Sequence, residues 1–481
     1  MALQQTQYLH AKVADQIRRL IDESILKAGD KVPSVRSMAK QSKVSVSTVL
    51  QAYANLEADG VIYARPQSGY FVSEQAGSNI KVPNRICCPE LTPKPALAFN
   101  VWGSIYESAT NEDILPLGLA NPKPEILPVR GLNRSVRAVL SEEPERGVQY
   151  SFPPGELDLR RQIAAQYYMR NQHVSPDDIV ITSGCTESVL LSLKAVASHG
   201  DVIAVESPVY FVLLRIVKSL GMSVIEIESD PHTGMSIDAL ERAVNSIAIS
   251  AVICIPNFSN PSGTLMSDEK KQRLVELLNE RAIPLIEDDI YSELYFGDSR
   301  PTSCRDFGDA GQILSCNSFS KTLAPGFRIG WVLPGKYKDS VIKHKRLTSA
   351  ATSTLPQMAI AHFMQSGAYQ RYLRNLRQIF KQQIYTLRQS IARHFPADTR
   401  ISHPEGGFVL WVQLPYKLDT LVLAERAMQE KISIAPGMMF SVSAQYTHFL
   451  RLCTGFIWSE VAEQGVKRLG EMIEEMRDDM Q

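Results

Sequence analysis

The chain has 481 residues, a length that suits two or three domains of about 100–200 residues each. Hydrophobic residues make up 44% of it and charged residues 21%, which indicates an ordinary buried core and excludes a disordered chain. Lysine plus arginine and aspartate plus glutamate both total 51, so the formal net charge is zero. Bulk attraction to a polyanion is therefore excluded, and any nucleic-acid site must be a local patch.

The seven cysteines predict neither a disulfide framework nor a metal centre. Their number is odd, and no Cys-x-x-Cys pair or histidine-bearing metal spacing accompanies them. No apolar run reaches the roughly 18 residues of a membrane span, and the first residues turn polar without the apolar region of a signal peptide. We therefore expect a soluble protein of the reducing cytoplasm with no membrane partner.

The first 74 residues have the pattern of a small helical module that ends in a hairpin. Apolar residues at three- and four-residue spacing predict a helix over 8–25. Ser34 and Ser45 are typical N-caps of two further short helices. Segments 61–65 and 70–72 then predict a pair of strands. Three helices and a hairpin make a winged helix-turn-helix, whose third helix enters the DNA major groove.

The stretch KVPSVRSMAKQSKVSVSTVLQAYANLEADGVIYARPQSGYFV resembles the GntR family of bacterial DNA-binding domains over nearly the whole module. The resemblance implies double-stranded DNA as partner, with contacts from Arg36, Ser45, Ser47, Thr48, Arg65, Ser68 and Gly69. Where the family usually carries an arginine in the third helix, this chain has Val46. The alternative is a helical protein-interaction module, because residues 1–74 carry only 9 basic against 7 acidic residues.

A proline-containing stretch separates this module from the rest of the chain. It predicts a linker over 75–112, leaving domains over 1–74 and 113–481. Beyond it, short apolar strands alternate with helical stretches, which indicates a parallel sheet covered by helices. We expect a large subdomain over about 151–345 and a small one over about 346–481 that includes the N-terminal arm.

Four segments of the larger domain carry groups that one site would use. A small-residue turn follows a strand at 179–186, Asn-Pro-Ser-Gly follows another at 257–263, three carboxylates follow a third at 284–291, and a lysine and an arginine follow a fourth at 313–331. Each has an ordinary alternative, namely a tight connection, a turn, a helix N-cap and a surface lysine. Together they match the needs of pyridoxal phosphate: an amine, a carboxylate for the pyridine nitrogen, donors to the phenolate oxygen and a phosphate cradle.

The order Asn260, Asp288, Lys321, Arg328 is more specific than any one segment, and residues 113–481 resemble the class I/II aminotransferases of fold type I. The resemblance implies that Lys321 forms the internal aldimine and Asp288 pairs with the pyridine nitrogen. Asn260 and Tyr291 would hold the phenolate oxygen. The phosphate would be surrounded by Ser183, Gly184, Cys185, Thr186, Ser318 and Arg328.

Three further residues match the same family. Tyr210 matches the aromatic residue that stacks on the cofactor ring, with core packing as the alternative. Tyr150 matches the tyrosine that reaches the phosphate in the neighbouring subunit, which implies a homodimer. Arg451 matches the arginine that binds the substrate carboxylate, with a surface arginine as the alternative.

A GntR-type module fused to an aminotransferase-like body is the architecture of the MocR subfamily of bacterial transcription regulators. The resemblance implies a winged helix-turn-helix domain plus an α/β fold type I domain with a mixed, mostly parallel sheet and a smaller α+β C-terminal subdomain. Our leading hypothesis is a regulator that senses an amino acid or amine through an external aldimine at Lys321. The alternatives are an active aminotransferase that carries a DNA-binding module, and a body that binds no cofactor.

Overall fold

A computed structural model describes residues 9–23, 25–27, 29–58, 61–65, 68–73, 81–86, 91–95, 102–308, 310–443 and 445–479. Of the seven cysteines, Cys87 and Cys88 lie outside these ranges. The other five, Cys185, Cys254, Cys304, Cys316 and Cys453, are buried free thiols. Among the helices of the described ranges, none is both long and apolar enough to cross a membrane.

The N-terminal module contains the predicted three helices and hairpin. Its elements are α1 (Leu9–Asp22), α2 (Val35–Ser42), α3 (Val46–Ala58), β1 (Ile62–Arg65) and β2 (Gly69–Val72). The Ser34 hydroxyl accepts the Ser37 N–H at 3.2 Å and the Ser45 hydroxyl accepts the Thr48 N–H at 3.1 Å, so both predicted N-caps are confirmed. The antiparallel strands and three helices enclose one apolar core that includes Ile17, Met38, Val49 and Leu56.

The larger part of the chain begins with a sheet covered by helices on both faces. Its strands are β3 (Lys94–Pro95), β4 (Val180–Thr182), β5 (Val202–Ser207), β6 (Ser223–Asp230), β7 (Gly234–Met235), β8 (Ile249–Cys254), β9 (Leu285–Asp288), β10 (Ile313–Ser318) and β11 (Gly330–Leu333). Its helices are α4 (Trp102–Thr110), α5 (Val129–Glu142), α6 (Leu157–Tyr168), α7 (Cys185–Val196), α8 (Phe211–Ser219), α9 (Ile237–Ser246), α10 (Asp268–Glu280), α11 (Lys338–Thr348) and α12 (Thr354–Gln365).

The sheet order is β3-β6-β5-β8-β9-β10-β11-β4, with β7 paired to β6. Strands β6, β5, β8, β9 and β10 are parallel, whereas β11 is antiparallel to both β10 and β4. The parallel strands are buried along most of their length, as expected for a sheet covered on both faces. The expected mixed, mostly parallel sheet is therefore confirmed, and its parallel strands end at one edge.

A smaller antiparallel sheet follows. Its elements are α13 (Ala368–His394), β12 (Arg400–Ile401), β13 (Val409–Gln413), α14 (Thr420–Gln429), β14 (Ala435–Pro436), β15 (Phe449–Cys453) and α15 (Glu460–Asp478). The strand order is β12-β13-β15-β14, and side chains of α13, α14 and α15 share one core with the sheet. Helix α12, which begins shortly after the predicted subdomain boundary at about 345, packs on α5 and α6.

The predicted linker over 75–112 contains ordered contacts in its described parts. Helix α4 lies within it, and residues 81–86, which we name the connector, run beside the small sheet. The Ile401 N–H donates to the Lys81 carbonyl at 2.9 Å, and the Asn84 N–H donates to Gln413 Oε1 at 2.7 Å. The next residue, Arg85, pairs with Glu228 of β6 at 2.6 Å. Most of these contacts use backbone groups of the connector. The proline content of the sequence does not predict such contacts.

The N-terminal module also contacts the small subdomain. Helix α3 packs against α13, and the side chains of Ser73 and Tyr385 form a hydrogen bond. Helix α3 begins at Val46. In proteins with this fold, the residues at the N-terminal end of the third helix enter the DNA groove.

Candidate functional site

A cavity of about 480 Å³ lies at the carboxyl ends of the parallel strands, between the two subdomains. Open α/β sheets place ligands at this edge. Nine of the residues predicted to form the site line it: Cys185, Thr186, Tyr210, Asn260, Asp288, Tyr291, Lys321, Arg328 and Arg451. Gly184 precedes the helix at its wall, and Ser183 precedes Gly184. The structure therefore brings together residues that lie up to 266 positions apart, from 185 to 451.

Lys321 follows β10 and projects into the cavity. Its Nζ donates a hydrogen bond to the Ala120 carbonyl. Burial, together with the nearby Arg451 guanidinium, lowers the pKa of Lys321 from its ordinary value to about 8. The amine is therefore closer to its neutral, nucleophilic form at neutral pH than a surface lysine is.

The three consecutive carboxylates at the end of β9 point in different directions, because side chains alternate along a strand, and each has its own partners. Glu287 accepts hydrogen bonds from the Cys304 N–H at 2.7 Å and the Ser315 hydroxyl at 3.0 Å. Asp289 pairs with the Arg300 guanidinium and accepts from Asn257 Nδ2 at 2.8 Å. Asp288 alone lines the cavity.

Asp288 is 5% exposed, and burial raises its pKa to about 6. The Cys185 thiol donates to Asp288 Oδ1 at 3.2 Å, and the Ile290 N–H donates to the same oxygen at 3.2 Å. Both hydrogen bonds favour the carboxylate form. The Cys185 side chain is therefore directed at Asp288. Only the backbone N–H of Cys185 can then donate a hydrogen bond to an anion such as a phosphate.

Helix α7 begins at one wall of the cavity and offers an anion site. The first N–H groups of a helix have no partner within it, and the helix dipole favours negative charge there. Gly184 precedes α7 with φ +89°, and a Cβ at this position would lie 2.4 Å from Arg328 Nη2. Arg328 donates to the Ser183 carbonyl at 3.0 Å and to Ser320 Oγ at 3.1 Å. The guanidinium is thus held beside the helix N-terminus.

Ser183 and Ser318, two further predicted phosphate contacts, have hydrogen-bond partners within the chain. The Ser183 N–H donates to the Glu187 carboxylate at 2.5 Å. The Ser318 hydroxyl donates to the Ile329 carbonyl at 2.9 Å and accepts the Ser320 N–H at 3.0 Å. Ser320 itself lines the cavity beside Arg328, and the sequence analysis did not select it. Its place two residues after Ser318 and directly before Lys321 was the available signal.

Arg451, Asn260 and Tyr291 form a buried polar cluster. Asn260 Nδ2 donates to Tyr291 Oη at 3.3 Å, and Arg451 Nη1 donates to Asn260 Oδ1 at 3.1 Å. Arg451 Nη2 donates to the Gly118 carbonyl. Burial raises the pKa of the Tyr291 phenol well above its ordinary value, so this group is a hydrogen-bond donor at neutral pH.

Arg451 comes from the small subdomain, where its strand β15 pairs with β13 and β14. The side chain is 1% exposed, and its Nε is buried without a hydrogen-bond partner among the described residues. Its guanidinium carbon lies 5.8 Å from the Phe211 ring centroid and 5.2 Å from that of Phe440. A buried guanidinium with a free donor is suited to a carboxylate, which it binds through two parallel hydrogen bonds.

Tyr210 and Tyr150 occupy different places. Tyr210 precedes α8 at the cavity wall, with its ring centroid 4.8 Å from that of Phe211. Tyr150 is 78% exposed and stacks on Phe152 with centroids 5.4 Å apart, on the outer surface of the chain. Tyr150 therefore does not belong to the cavity of its own chain.

The residues at the cavity fit pyridoxal 5′-phosphate. Lys321 supplies the amine, and Asp288 supplies a carboxylate that burial leaves in need of a cationic partner. The Gly184 turn leaves room that a Cβ would occupy, next to helix N–H groups and a guanidinium. The unpartnered Arg451 Nε adds a donor for a carboxylate beyond the cofactor.

The predicted DNA contacts lie on the surface of the module. Arg36, Ser45 and Ser47 are exposed and Thr48 is half-buried. The Ser45 hydroxyl lies 2.7 Å from Ser47 Oγ and 2.8 Å from Thr48 Oγ1. Arg65 ends β1, and only its backbone is described, whereas Ser68 and Gly69 are exposed at the start of β2.

Two family models match the chain. The model for aminotransferase class I and II matches residues 131–469, and the model for bacterial regulatory proteins of the gntR family matches residues 9–72. The HTH-type transcriptional regulator YdcR of Escherichia coli is 37% identical over 467 residues, which cover 97% of this chain and 99% of that protein.

Solved aminotransferase structures share the fold of the larger part. The multiple substrate aminotransferase of Thermococcus profundus has a TM-score of 0.73 at 26% identity, covering 80% of this chain and 96% of that one. LysN, an α-aminoadipate aminotransferase of Thermus thermophilus solved with N-(5′-phosphopyridoxyl)-L-leucine, has a TM-score of 0.72 at 26% identity, covering 79% of this chain and 98% of that one.

Proposed function

This chain belongs to the class I and II aminotransferase family and carries a GntR-family DNA-binding domain, the MocR-like architecture, and from this premise we propose a transcription regulator that senses an amino compound. The effector, an amino acid or amine, is sensed through formation of an external aldimine at Lys321. The observation that supports the proposal is a cavity lined by a lysine, an aspartate and two arginines in the same chain as a winged helix-turn-helix. Such a regulator works where the chromosome is, in the cytoplasm.

Pyridoxal 5′-phosphate is the cofactor, and when bound it supplies an aldehyde that joins an amine. Lys321 provides that amine in the resting state, and Asp288 holds the proton of the pyridine nitrogen. Asn260 and Tyr291 hydrogen-bond the phenolate oxygen, and Tyr210 packs on the ring. The phosphate is held by the α7 N–H groups and the residues Ser183, Gly184, Cys185, Thr186, Ser318 and Arg328. The phosphopyridoxyl ligand in the structure of LysN supports this assignment.

An effector that carries a carboxylate binds the Arg451 guanidinium through that group. The guanidinium packs beside two aromatic rings that contact each other, and it retains an unpartnered Nε, so it is held in place for a carboxylate. Because Arg451 lies on the small subdomain and Lys321 on the large one, an amino acid that contacts both draws the subdomains together. Lys321, released from the cofactor, then accepts or donates a proton at Nζ, which its lowered pKa permits near neutral pH.

Double-stranded operator DNA is the macromolecular partner. Arg36, Ser45, Ser47, Thr48, Arg65, Ser68 and Gly69 provide the proposed contacts. Short hydroxyl side chains and one guanidinium suit phosphate contacts, which position the module rather than read sequence. The small net charge of the module implies modest affinity for one copy, so two copies on one operator are needed.

A homodimer supplies the two copies. Five large apolar side chains, which we name the apolar surface cluster, are exposed: Leu140, Val148, Tyr150, Phe152 and Leu347. The Tyr150 and Phe152 rings stack on each other, and exposed apolar surface of this kind is typical of an interface. In the proposed dimer this cluster is covered by the second copy, and Tyr150 reaches the phosphate in the neighbouring subunit.

The proposal is tested by measuring DNA affinity with the full chain. A duplex selected from a random library by the cofactor-loaded protein is titrated with and without a panel of amino acids and amines. We expect one class of amine to change the DNA affinity at least fivefold, the lower end of typical coupling between sites. The Lys321→Ala variant is expected to bind the duplex without any response to amines and without the visible absorption band of the lysine-bound cofactor.

Equal DNA affinity with and without cofactor and amine would contradict the sensor. An absorption band that survives in Lys321→Ala would contradict the assignment of that lysine. Adding a keto acid to the same samples separates a sensor from an enzyme, because rapid and repeated transfer of the amino group would show that turnover is the main activity.

A further inference from the structure

The charged groups of the cavity are all committed to the cofactor or to one carboxylate. Among the lining residues that the structure describes, the lysine, arginine, aspartate and glutamate side chains are Asp288, Lys321, Arg328 and Arg451. Asp288 and Arg328 serve the cofactor in the proposed function, Lys321 is its attachment point, and Arg451 takes the carboxylate. A second charged group on the effector would therefore find no free partner among the described lining residues of this chain, and burying an unpaired charge is strongly unfavourable.

Many of the other residues that line the cavity are apolar. Ile105 and Ala109 of α4, Leu119, Phe211 and Val212 line it, and we name them the apolar wall. Ile105 is 2% exposed, Phe211 is 6% exposed, and Leu119 and Val212 are half-buried. Phe211 belongs to the wall and also packs against the Arg451 guanidinium, so the carboxylate site and the apolar wall adjoin.

We propose that the effector is an α-amino acid with an uncharged, apolar side chain, which rests on the apolar wall while Arg451 binds its carboxylate. This inference rests on the proposed function and adds the class of the effector. The contact of an apolar side chain with Leu119 and Val212 removes apolar surface from water on both partners, which is the driving force, and Ile105 completes the shape of the wall. A dicarboxylic or a basic amino acid gains nothing from this wall.

The wall also links the effector to the connection between the modules. Helix α4 supplies Ile105 and Ala109, and it lies in the stretch that joins the DNA-binding module to the body. The Ser108 hydroxyl on the same helix is fully buried and donates to the Ile105 carbonyl at 2.6 Å. An apolar side chain that packs on α4 therefore acts on the last helix of that stretch.

The test is a titration of the cofactor-loaded protein, followed by its visible absorption spectrum. The probes are L-leucine, L-phenylalanine, L-alanine, L-glutamate, L-lysine and isoamylamine, the amine that lacks the carboxylate of leucine. We expect leucine or phenylalanine to bind at least tenfold more tightly than glutamate, lysine or isoamylamine. Tighter binding of glutamate or lysine would overturn the inference and leave the proposed function standing. No spectral response to any probe would instead contradict the proposed function.

Two variants connect the preference to the wall. Ile105→Ala is expected to weaken the binding of leucine about tenfold or more, since missing methylenes in an apolar pocket cost such factors, and to leave alanine within twofold. Ile237→Ala is the matched control, because Ile237 is 3% exposed in a separate core cluster. Equal weakening of leucine and alanine by Ile105→Ala would overturn the direct contact. Val212→Ala, at a half-buried position, repeats the measurement if Ile105→Ala fails to fold.

Discussion

Lys321 and Asp288 face one cavity, and the pKa of each side chain is shifted in the direction that favours its neutral form. Burial lowers the pKa of the lysine to about 8 and raises that of the aspartate to about 6. The Arg451 guanidinium adds to the shift of the lysine, while Asp288 opposes it. Opposite shifts of an amine and a carboxylate in one pocket are typical of a functional site.

The rate at which pyridoxal phosphate attaches to the unloaded protein is expected to depend on pH through Lys321. Only the neutral amine attacks an aldehyde, and a lowered pKa means that this form grows as pH rises through about 8. We expect the attachment rate, followed by absorbance, to rise between pH 7 and 9 with a midpoint near 8. The variant Arg451→Met removes a nearby positive charge and should move the midpoint upward.

Arg477→Met is the control for this measurement, because Arg477 lies in the last turn of α15, at the far end of the small subdomain. A midpoint above 10 in the parent chain, or one that Arg451→Met leaves unchanged, would contradict the electrostatic account.

At the level of single residues, the sequence predicted which residues form the site better than it predicted where their side chains point. Asn260, Asp288, Lys321 and Arg328 could be selected because each follows a strand at a spacing that one cofactor requires, and the structure brings all four to one cavity. The contact of Cys185 with Asp288 could not be predicted, since the rotamer of a helix N-terminal side chain depends on a strand 103 positions away. The partners of Ser318 depend in the same way on Ile329 in the loop before β11.

The N-terminus of α7 is the element on which the phosphate site depends. Gly184 adopts φ +89° there, and its missing Cβ leaves the space in which Arg328 Nη2 lies. Gly200 adopts φ +90° with nothing within 4 Å of a Cβ. The two glycines thus share a positive φ and differ in their surroundings.

Gly184→Ala is expected to weaken pyridoxal phosphate binding at least tenfold, because the added methyl group displaces the Arg328 guanidinium. Gly200→Ala should cost about 1–2 kcal/mol of stability through its own positive φ and bind the cofactor normally. The measurements are a cofactor titration by absorbance and a thermal unfolding curve for each variant. Equal loss of cofactor affinity in both would show that backbone strain, and not the space beside Arg328, is responsible.

Elements that depend on local sequence were predictable, and elements whose packing depends on distant residues were not. The helix caps at Ser34 and Ser45 follow from local hydrogen bonding, so they were predicted correctly. Helix α4 was missed because prolines before it suggested a linker, and its burial depends on a body built from residues far along the chain. The antiparallel direction of β11 was not predicted either, because strand direction depends on pairing with β10 and β4.

For the whole molecule, the apolar surface cluster predicts the oligomeric state. Val148 is 85% exposed, and Val148→Asp would place a charge in the proposed interface. We expect the parent chain to sediment as a dimer and Val148→Asp as a monomer with weakened cofactor binding. Tyr150→Phe keeps the apolar ring and removes the hydroxyl, so it should remain a dimer and bind the cofactor less tightly. A monomeric parent chain, or full cofactor affinity in both variants, would contradict the shared site.

The connector has a consequence for how far the two subdomains can separate. Asn84 is hydrogen-bonded to the small sheet and Arg85 to the large one, yet their Cα atoms are only about 3.8 Å apart. Neighbouring residues therefore tie the connector to both sheets, each through one side chain of limited reach. A relative movement of the two sheets beyond that reach breaks one of the two contacts, and the ion pair of the partly exposed Arg85 is the weaker one. Such a break would free one side of the connector, the segment that leads to the DNA-binding module.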